Sequence, residues 1–194
     1  MTKRLFIGVP IESETVEQAV KNWKKDPLTK GSLLNWVKPE NWHITLFFLG
    51  DTPKSVIPLL KQSIEISFCS VQPFNTQMMG AGVFPHRRNP KVLWLGLENL
   101  QTLMPACSLM GELLLKNGLI PCYKPLKPHL TLARINNLRH SASFESFLNQ
   151  SLPLNFGSVA INRVVLYESI LKPEGPVYKP LFVKVLEIGQ SESS

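Results

Sequence analysis

The stretch that decides the fold is ENWHITLFFLGD, residues 40–51, in which a histidine lies within an otherwise apolar strand. A second stretch, KPHLTLAR at residues 127–134, repeats its central pattern. Both copies read His-x-Thr-x, with apolar residues at the second and fourth positions. Because side chains alternate along a strand, each histidine is expected to share one face with its threonine, opposite the apolar residues.

This alternation assigns every side chain of the two motifs to a face. The polar faces hold His43, Thr45 and Phe47 in the first strand and His129 and Thr131 in the second. We expect the apolar faces to pack on helices and the polar faces to border a space between two lobes. An approximate two-fold axis between the lobes would bring both His/Thr pairs into one pocket. The opposite, apolar faces hold Ile44, Leu46, Phe48, Leu130 and Leu132.

The remaining chain alternates strand and helix patterns, which predicts a duplicated α+β architecture of two sheet-and-helix lobes around a central cleft. Residues 1–194 form a single domain in this interpretation, with a frayed tail at 189–194. Ser13 followed by acidic residues predicts a helix start, and Asn117-Gly118 predicts a helix end. Pro58 is a poor fit to the helix predicted over residues 53–67. Predicted strands cover 3–9, 42–49, 73–79, 91–97, 159–168 and 177–188, predicted helices also cover 100–116 and 141–149, and an exposed loop is predicted at 80–90.

Composition narrows the class of protein. The 194 residues are 44% hydrophobic, and no apolar run reaches the length of a membrane span. Three cysteines without metal-type spacing suit a reducing cytosol and predict neither disulfides nor a zinc site. The net charge is +7, and residues 80–139 contain eight basic residues against two acids. This favours an anionic partner, either nucleic acid or a phosphate ester, although a merely basic surface is the alternative.

Paired His-x-Thr motifs suit phosphoryl chemistry. Two imidazoles can serve as acid and base, and two hydroxyls can donate hydrogen bonds to the oxygens of a phosphate between them. In-line attack of water on phosphorus needs such groups on opposite sides and requires no metal. No His-x-His, H-E-x-x-H or carboxylate cluster accompanies the motifs. A single His-x-Thr more often marks a half-buried structural histidine, but two copies beside a basic window favour a catalytic site.

At these residues the chain resembles the two-histidine (2H) phosphoesterase superfamily, and within it the RNA 2′,3′-cyclic phosphodiesterases of the LigT or ThpR family, formerly called 2′-5′ RNA ligases. The resemblance covers almost the whole chain. It is carried by both motifs and by the flanking segments RLFIGVPI (4–11), GVFPHRRNPKVLWLGL (82–97) and VVLYESILKPEGPVYKPL (164–181).

The resemblance implies a LigT-like bilobal fold and hydrolysis of an RNA-terminal 2′,3′-cyclic phosphate to a 2′-phosphate, without metal or cofactor. It implies that His43 protonates the departing O3′ and that His129 accepts the proton of the attacking water. Thr45 and Thr131 would hold the phosphate oxygens. Arg134 matches an arginine of many members and would add a cation, but strict alternation puts it on the face opposite His129.

Further residues have two interpretations each. Phe47 stacks on a base or belongs to the core, and Arg87 and Arg88 bind the RNA backbone or form a solvated charge pair. His86 is interpreted as a loop histidine, and His140 has no assigned partner. Tyr123, Phe84, Trp42 and Trp94 are typical of a core or a cleft wall.

The expected partners are RNA ends with a cyclic phosphate, with tRNA fragments among the candidates, acted on by a cytoplasmic monomer. Reverse 2′-5′ ligation is a further family activity. The alternatives are a non-catalytic RNA-end binder and a phosphodiesterase for 2′-5′ oligonucleotides or small cyclic nucleotides, since the motifs fit all of these substrates.

Overall fold

The computed structural model describes residues 1–29, 33–122, 127–138, 141–173 and 175–188, which fold into one antiparallel sheet flanked by α-helices. The predicted α+β class is confirmed. The elements in chain order are β1 Thr2–Pro10, α1 Glu14–Trp23, β2 Leu33–Trp36, β3 His43–Pro53, α2 Ile57–Phe68, β4 Phe74–Phe84, β5 Val92–Leu97, α3 Met104–Lys116, β6 His129–Asn137, α4 Ser141–Ser151, β7 Asn155–Ile161, β8 Arg163–Ile170 and β9 Val177–Val185.

The helix ends follow the capping patterns of the sequence. The Ser13 side chain accepts a hydrogen bond from the Val16 N–H at the start of α1. Gly118 has a φ of +67° after α3, and the N–H groups of Gly118 and Leu119 donate back into the last turn of that helix. Helix α2 begins at Ile57 rather than at residue 53, so Pro58 lies in its first turn, where no hydrogen bond of the helix is lost.

The sheet consists of two four-stranded arms that meet at β3 and β6. The first arm contains β3, β1, β8 and β9, and the second arm contains β6, β5, β4 and β7. The strand order is β7-β4-β5-β6-β3-β1-β8-β9, and β2 also pairs with β6. Helices α2 and α3 pack together, and α2 also packs against β8 and β9 of the first arm. Helices α1 and α4 pack against β7 and β4 of the second arm. The chain exchanges elements between the arms, since β4 follows the first motif but belongs to the second arm. The division into pseudo-symmetric lobes of a single domain stays a prediction.

Three parts of the secondary structure differ from the prediction. The single strand predicted over 159–168 is two strands separated by Asn162, because β7 pairs with β4 whereas β8 pairs with β1. Strand β2 was not predicted, and it forms because residues 33–36 pair with β6 on the edge that β3 uses at Leu130. The loop predicted at 80–90 is strand as far as Phe84. Gly82 pairs with Trp94 there, and its missing side chain leaves room for the indole, which would lie 2.3 Å from a Cβ. The tail at 189–194 lies outside the described residues.

Candidate active site

The two His-x-Thr motifs lie side by side. Ile44 of β3 pairs with Leu130 of β6, and the strands are antiparallel. Continuing this register places His43 across from Thr131 and Thr45 across from His129. The structure therefore brings the four residues of both motifs together at the junction of the two arms.

Both histidines are held by the same local hydrogen bond. The Nδ1 atom of His43 lies 2.7 Å from the carbonyl oxygen of Asn41, and the Nδ1 atom of His129 lies 2.9 Å from that of Lys127. A carbonyl only accepts, so each Nδ1 is the protonated nitrogen. Nε2 of each ring is then a proton acceptor when the imidazole is neutral and a donor when it is charged. Both histidines can therefore serve as either acid or base.

An aromatic wall surrounds His43. Its ring centroid lies 4.7 Å from that of Phe6, 5.0 Å from that of Tyr178 and 6.4 Å from that of Tyr167. Burial lowers the pKa of His43, the Asn41 carbonyl opposes this shift, and the charge of His129 lowers the pKa further. The like charge of His129 acts on His43 because the two motif strands run side by side.

A smaller aromatic pair lies beside His129. The Phe84 ring meets the histidine edge-on at a centroid distance of 5.0 Å, and Trp94 lies 6.4 Å away. Phe84 and Trp94 stack on each other at 5.1 Å. These two aromatic residues thus form the wall beside His129, one of the two roles predicted for them.

Gly8 of β1 lies against the backbone and the histidine ring of the first motif. It pairs with Thr45, and a Cβ at this position would lie 2.8 Å from the carbonyl oxygen of Ile44 and 3.4 Å from Cδ2 of His43. Only a residue without a side chain allows β1 and the histidine ring to approach this closely. Gly8 therefore sets the position of the first motif.

A β-bulge follows the threonine in each motif. Along β1, Gly8 pairs with Thr45 and Ile7 with Phe47, which leaves Leu46 as the extra residue. Along β5, the partners change from Thr131 to Ala133. The extra residue there is Leu132. A bulge shifts the alternation by one residue, so the side chains after it change face until the next bulge, which in β3 leaves Leu49 as the extra residue.

The first bulge corrects the assignments of two phenylalanines. Phe47 pairs with Ile7, is 7% exposed and belongs to the core, so it does not share the polar face of His43. Of the two interpretations of Phe47, base stacking and the core, this position fits the core. Phe48 pairs with Phe6, is 55% exposed and lies on the polar face instead. The physical reason is the extra residue Leu46, which strict alternation does not include.

The second bulge changes the face of the sheet on which Arg134 lies. The shift after Thr131 places this exposed arginine on the His129 face rather than on the opposite one. Burial raises the pKa of the Tyr178 phenol, whereas the charges of Arg134 and Arg4 lower it. Both guanidinium groups therefore lie within electrostatic range of the ring that meets His43 edge-on.

The Arg87-Arg88 pair lies elsewhere on the surface. The Nη1 atom of Arg87 donates to Oδ1 of Asn149 at 2.8 Å and lies 3.8 Å from Oε1 of Glu145, both on α4. Arg88 is exposed. The contacts of Arg87 favour the surface charge role over RNA binding.

The other predicted residues have structural surroundings. Trp42 is buried and its Nε1 donates to the Val37 carbonyl at 3.2 Å. His86 accepts from the Asn89 N–H at 3.2 Å through Nδ1, as suits a loop histidine. Tyr123 and His140 lie outside the described residues.

Sequence reasoning missed the wall of the first arm, namely Arg4, Phe6, Tyr167 and Tyr178. Alternation of Arg4, Phe6 and Gly8 along β1 gives a signal that they share a face. Only the pairing of β1 with β3 and β8 shows which face this is.

The described residues contain no group of three or more His, Cys, Asp or Glu side chains arranged to hold a metal ion. None of the helices in this part of the chain is long and apolar enough to cross a membrane.

Comparison with known proteins gives a consistent family. The family profile described as LigT-like phosphoesterase matches residues 9–94, which include the first motif. A protein named RNA 2′,3′-cyclic phosphodiesterase from Aquifex aeolicus is 33% identical over 90% of this chain and 93% of its own length. One of the same name from Archaeoglobus fulgidus is 32% identical over 93% and 98%. The crystal structure of TT0787 from Thermus thermophilus superimposes with a TM-score of 0.74, at 30% identity over 94% of this chain and 97% of the other.

Proposed function

Because the chain belongs to the LigT-like phosphoesterase family, we propose that it hydrolyses the 2′,3′-cyclic phosphate at RNA ends to a 2′-phosphomonoester. The observation that carries the proposal is the junction of the two His-x-Thr strands at Ile44 and Leu130. It provides two imidazoles and two hydroxyls around one space, as a single phosphate requires. The names of the curated relatives supply the substrate class.

In the proposed reaction, water attacks phosphorus in line with the O3′ atom of the terminal ribose. Nε2 of His129 takes the proton of the water, and Nε2 of His43 gives a proton to O3′ as the P–O3′ bond breaks. The O2′ ester remains. Thr45 and Thr131 donate hydrogen bonds to the non-bridging oxygens, and Arg134 adds positive charge.

The two histidines need opposite protonation states at the start of this reaction. Burial lowers the pKa of His43 in the free protein, which disfavours the charged form that the acid role requires. The negative charge of a bound phosphate favours that form again. The proposal therefore includes protonation of His43 on substrate binding, with no metal or cofactor in the reaction.

We extend the proposal to the setting of the enzyme. It acts as a monomer in the cytoplasm, on RNA ends that include tRNA fragments. Because acid and base exchange roles in the reverse direction, the same groups serve 2′-5′ ligation.

The deciding experiment uses a short RNA ending in a 2′,3′-cyclic phosphate, incubated with the protein in excess EDTA. His43→Ala and His129→Ala proteins, checked for folding by circular dichroism, are run beside the wild type. A 2′-phosphate formed by the wild type, with each variant reduced by ~10²–10⁴-fold, supports the reaction and both roles.

Other outcomes identify the alternatives. Loss of wild-type turnover in EDTA contradicts the metal-free mechanism. Tight RNA binding without turnover under any condition identifies an RNA-end binder. Faster cleavage of a 2′-5′ linked oligonucleotide or a small cyclic nucleotide would move the activity to those substrates.

A further inference from the structure

An exposed aromatic ring lies on the active-site face, outside the wall around His43. Phe48 is 55% exposed, and the Cζ atom of Arg4 lies 4.9 Å from the centroid of its ring. A large exposed aromatic covered by a guanidinium is typical of sites that bind nucleic-acid bases, since bases stack on both groups. It is also the only exposed phenylalanine among the described residues.

Strand pairing places this pair on the face of the catalytic groups. Phe6 pairs with Phe48, and Gly8 pairs with Thr45, so these four residues point to the same side of the sheet. Arg4 is two residues from Phe6 along β1 and therefore shares that side. The Phe6 ring in turn contacts His43 at 4.7 Å, which makes the surface continuous from the catalytic histidine to Phe48.

The distance along the strand separates Phe48 from the phosphate position. With the bulge at Leu46, Phe48 lies two strand steps beyond Thr45, or roughly 7 Å. The aromatic rings closer to the reacting groups, Phe6 and Tyr178, already surround His43. Phe48 is therefore available for a base that does not belong to the reacting nucleotide.

The charges of this region suit a nucleic-acid backbone. Arg4 and Arg134 both act electrostatically on the Tyr178 phenol, which belongs to the wall around His43. Asp51 pairs with Arg4 across the strands, and the charge of Glu12, which is paired with Arg163, acts on Tyr167. Three guanidinium groups against two carboxylates leave a positive surface beside the catalytic residues.

Resting on the proposed function, we propose that Arg4 and Phe48 form a second nucleotide site, where the base next to the cyclic end stacks on Phe48. The guanidinium of Arg4 lies against the same ring and contacts the phosphate that joins the two nucleotides. The preferred substrate is then an oligonucleotide with a cyclic end rather than a nucleoside 2′,3′-cyclic phosphate.

The test compares a dinucleotide ending in a 2′,3′-cyclic phosphate with the nucleoside 2′,3′-cyclic phosphate that has the same terminal base. The measured quantity is the ratio of their kcat/KM values. The wild type favours the dinucleotide. Phe48→Ala lowers this ratio by roughly 5- to 150-fold, the range of one lost base stack, and Phe48→Tyr retains it.

The arginine is tested against a matched pair elsewhere. Lys61 lies 5.9 Å from the Phe182 ring and comes from α2, on the helix-covered side of the sheet. Arg4→Ala lowers the ratio and reduces the slope of log KM against log salt for the dinucleotide by about one unit. Lys61→Ala removes the same charge from a similar pair and leaves the ratio unchanged.

Three results would overturn the second site. One is a Phe48→Ala protein that keeps the wild-type kcat/KM for both substrates. Another is an equal loss for both substrates, which assigns Phe48 to the terminal base. If the wild type turns over neither substrate, the proposed function fails by itself, and fluorescence anisotropy then compares binding of the dinucleotide and mononucleotide. The third result is that wild type and Phe48→Ala prefer the dinucleotide over the mononucleotide by the same factor in that binding assay.

Discussion

Gly8→Ala tests how closely strand β1 must approach the first motif. The added Cβ would lie 2.8 Å from the Ile44 carbonyl oxygen, a backbone atom between His43 and Thr45. Restoring an ordinary contact of 3.4 Å requires a shift of about 0.6 Å between the strands. Overpacking of this kind costs ~1–3 kcal/mol, offset by ~0.4–1 kcal/mol because alanine restricts the unfolded chain. We expect a net loss of roughly 1–2 kcal/mol in the free energy of unfolding, measured with urea.

The effect on activity should be larger than this stability loss explains. A misplacement of 1 Å can cost ~10²-fold, so a shift of about 0.6 Å at the first motif should lower kcat/KM by ~10-fold. The assay is hydrolysis of a short RNA with a cyclic end at a temperature where both proteins are fully folded.

Gly118→Ala is the matched control for this variant. Gly118 has a φ of +67° after α3, and its Cβ would meet no atom within 4 Å. Alanine there costs ~1–2 kcal/mol of backbone strain away from the site. Its kcat/KM should remain that of the wild type. The reasoning about Gly8 is refuted if Gly8→Ala keeps wild-type activity, or if both variants lose activity in proportion to their stability.

Three further predictions concern the catalytic groups and the arginines. Thr45→Ala and Thr131→Ala should each lower kcat/KM by the equivalent of one charge-assisted hydrogen bond to the transition state, ~1.5–3 kcal/mol. Replacement of either threonine by serine should recover most of this loss. Full activity of both alanine variants would contradict the phosphate role. In NMR titrations, His43 should protonate below its ordinary pKa of 6.5, and His129→Ala should raise the pKa of His43 because a like charge is removed. Between the lowered pKa and pH 6.5, the unfolded state binds more protons than the folded state. The contribution of His43 to stability is therefore complete above pH 6.5 and is lost as pH falls through the lowered pKa. A His43 pKa above 6.5 would contradict this. Arg134→Ala should reduce kcat/KM for RNA more than Arg87→Ala, which breaks surface contacts to α4; the reverse order would move the RNA-binding surface to the 85–91 loop.

Much of the site could be predicted because its information is local. A His-x-Thr pattern within an apolar strand fixes the face of His43 and Thr45, and Ser13 and Gly118 fix helix ends through their own hydrogen bonds and backbone angles. The repeated motif was enough to expect that both strands contribute to one pocket.

The residues that were misplaced depend on distant strands. Phe47 and Phe48 exchange faces because the pairing with β1 leaves Leu46 as an extra residue, and the equivalent shift at Leu132 turns Arg134 to the site. Around the first bulge, Leu46 to Leu49 are all apolar, so the sequence shows no change of face there. Strand β2 is only four residues long and forms against β6, about a hundred positions away, so no local pattern indicates it.

The two carbonyl anchors have a consequence for the catalytic cycle. In the proposed reaction, each hydrolysis takes a proton from His43, which loses it to O3′, and adds one to His129, which gains it from water. The protonation states of the two histidines are therefore reversed when the product leaves. Because Nδ1 of each ring is bonded to a backbone carbonyl, the original protonation states can be restored only through the Nε2 atoms, which face the product in the proposed reaction. Each turnover must therefore end with an exchange of protons with water after the product has departed. Mobile buffers that carry protons should accelerate steady-state turnover without altering the first round of hydrolysis.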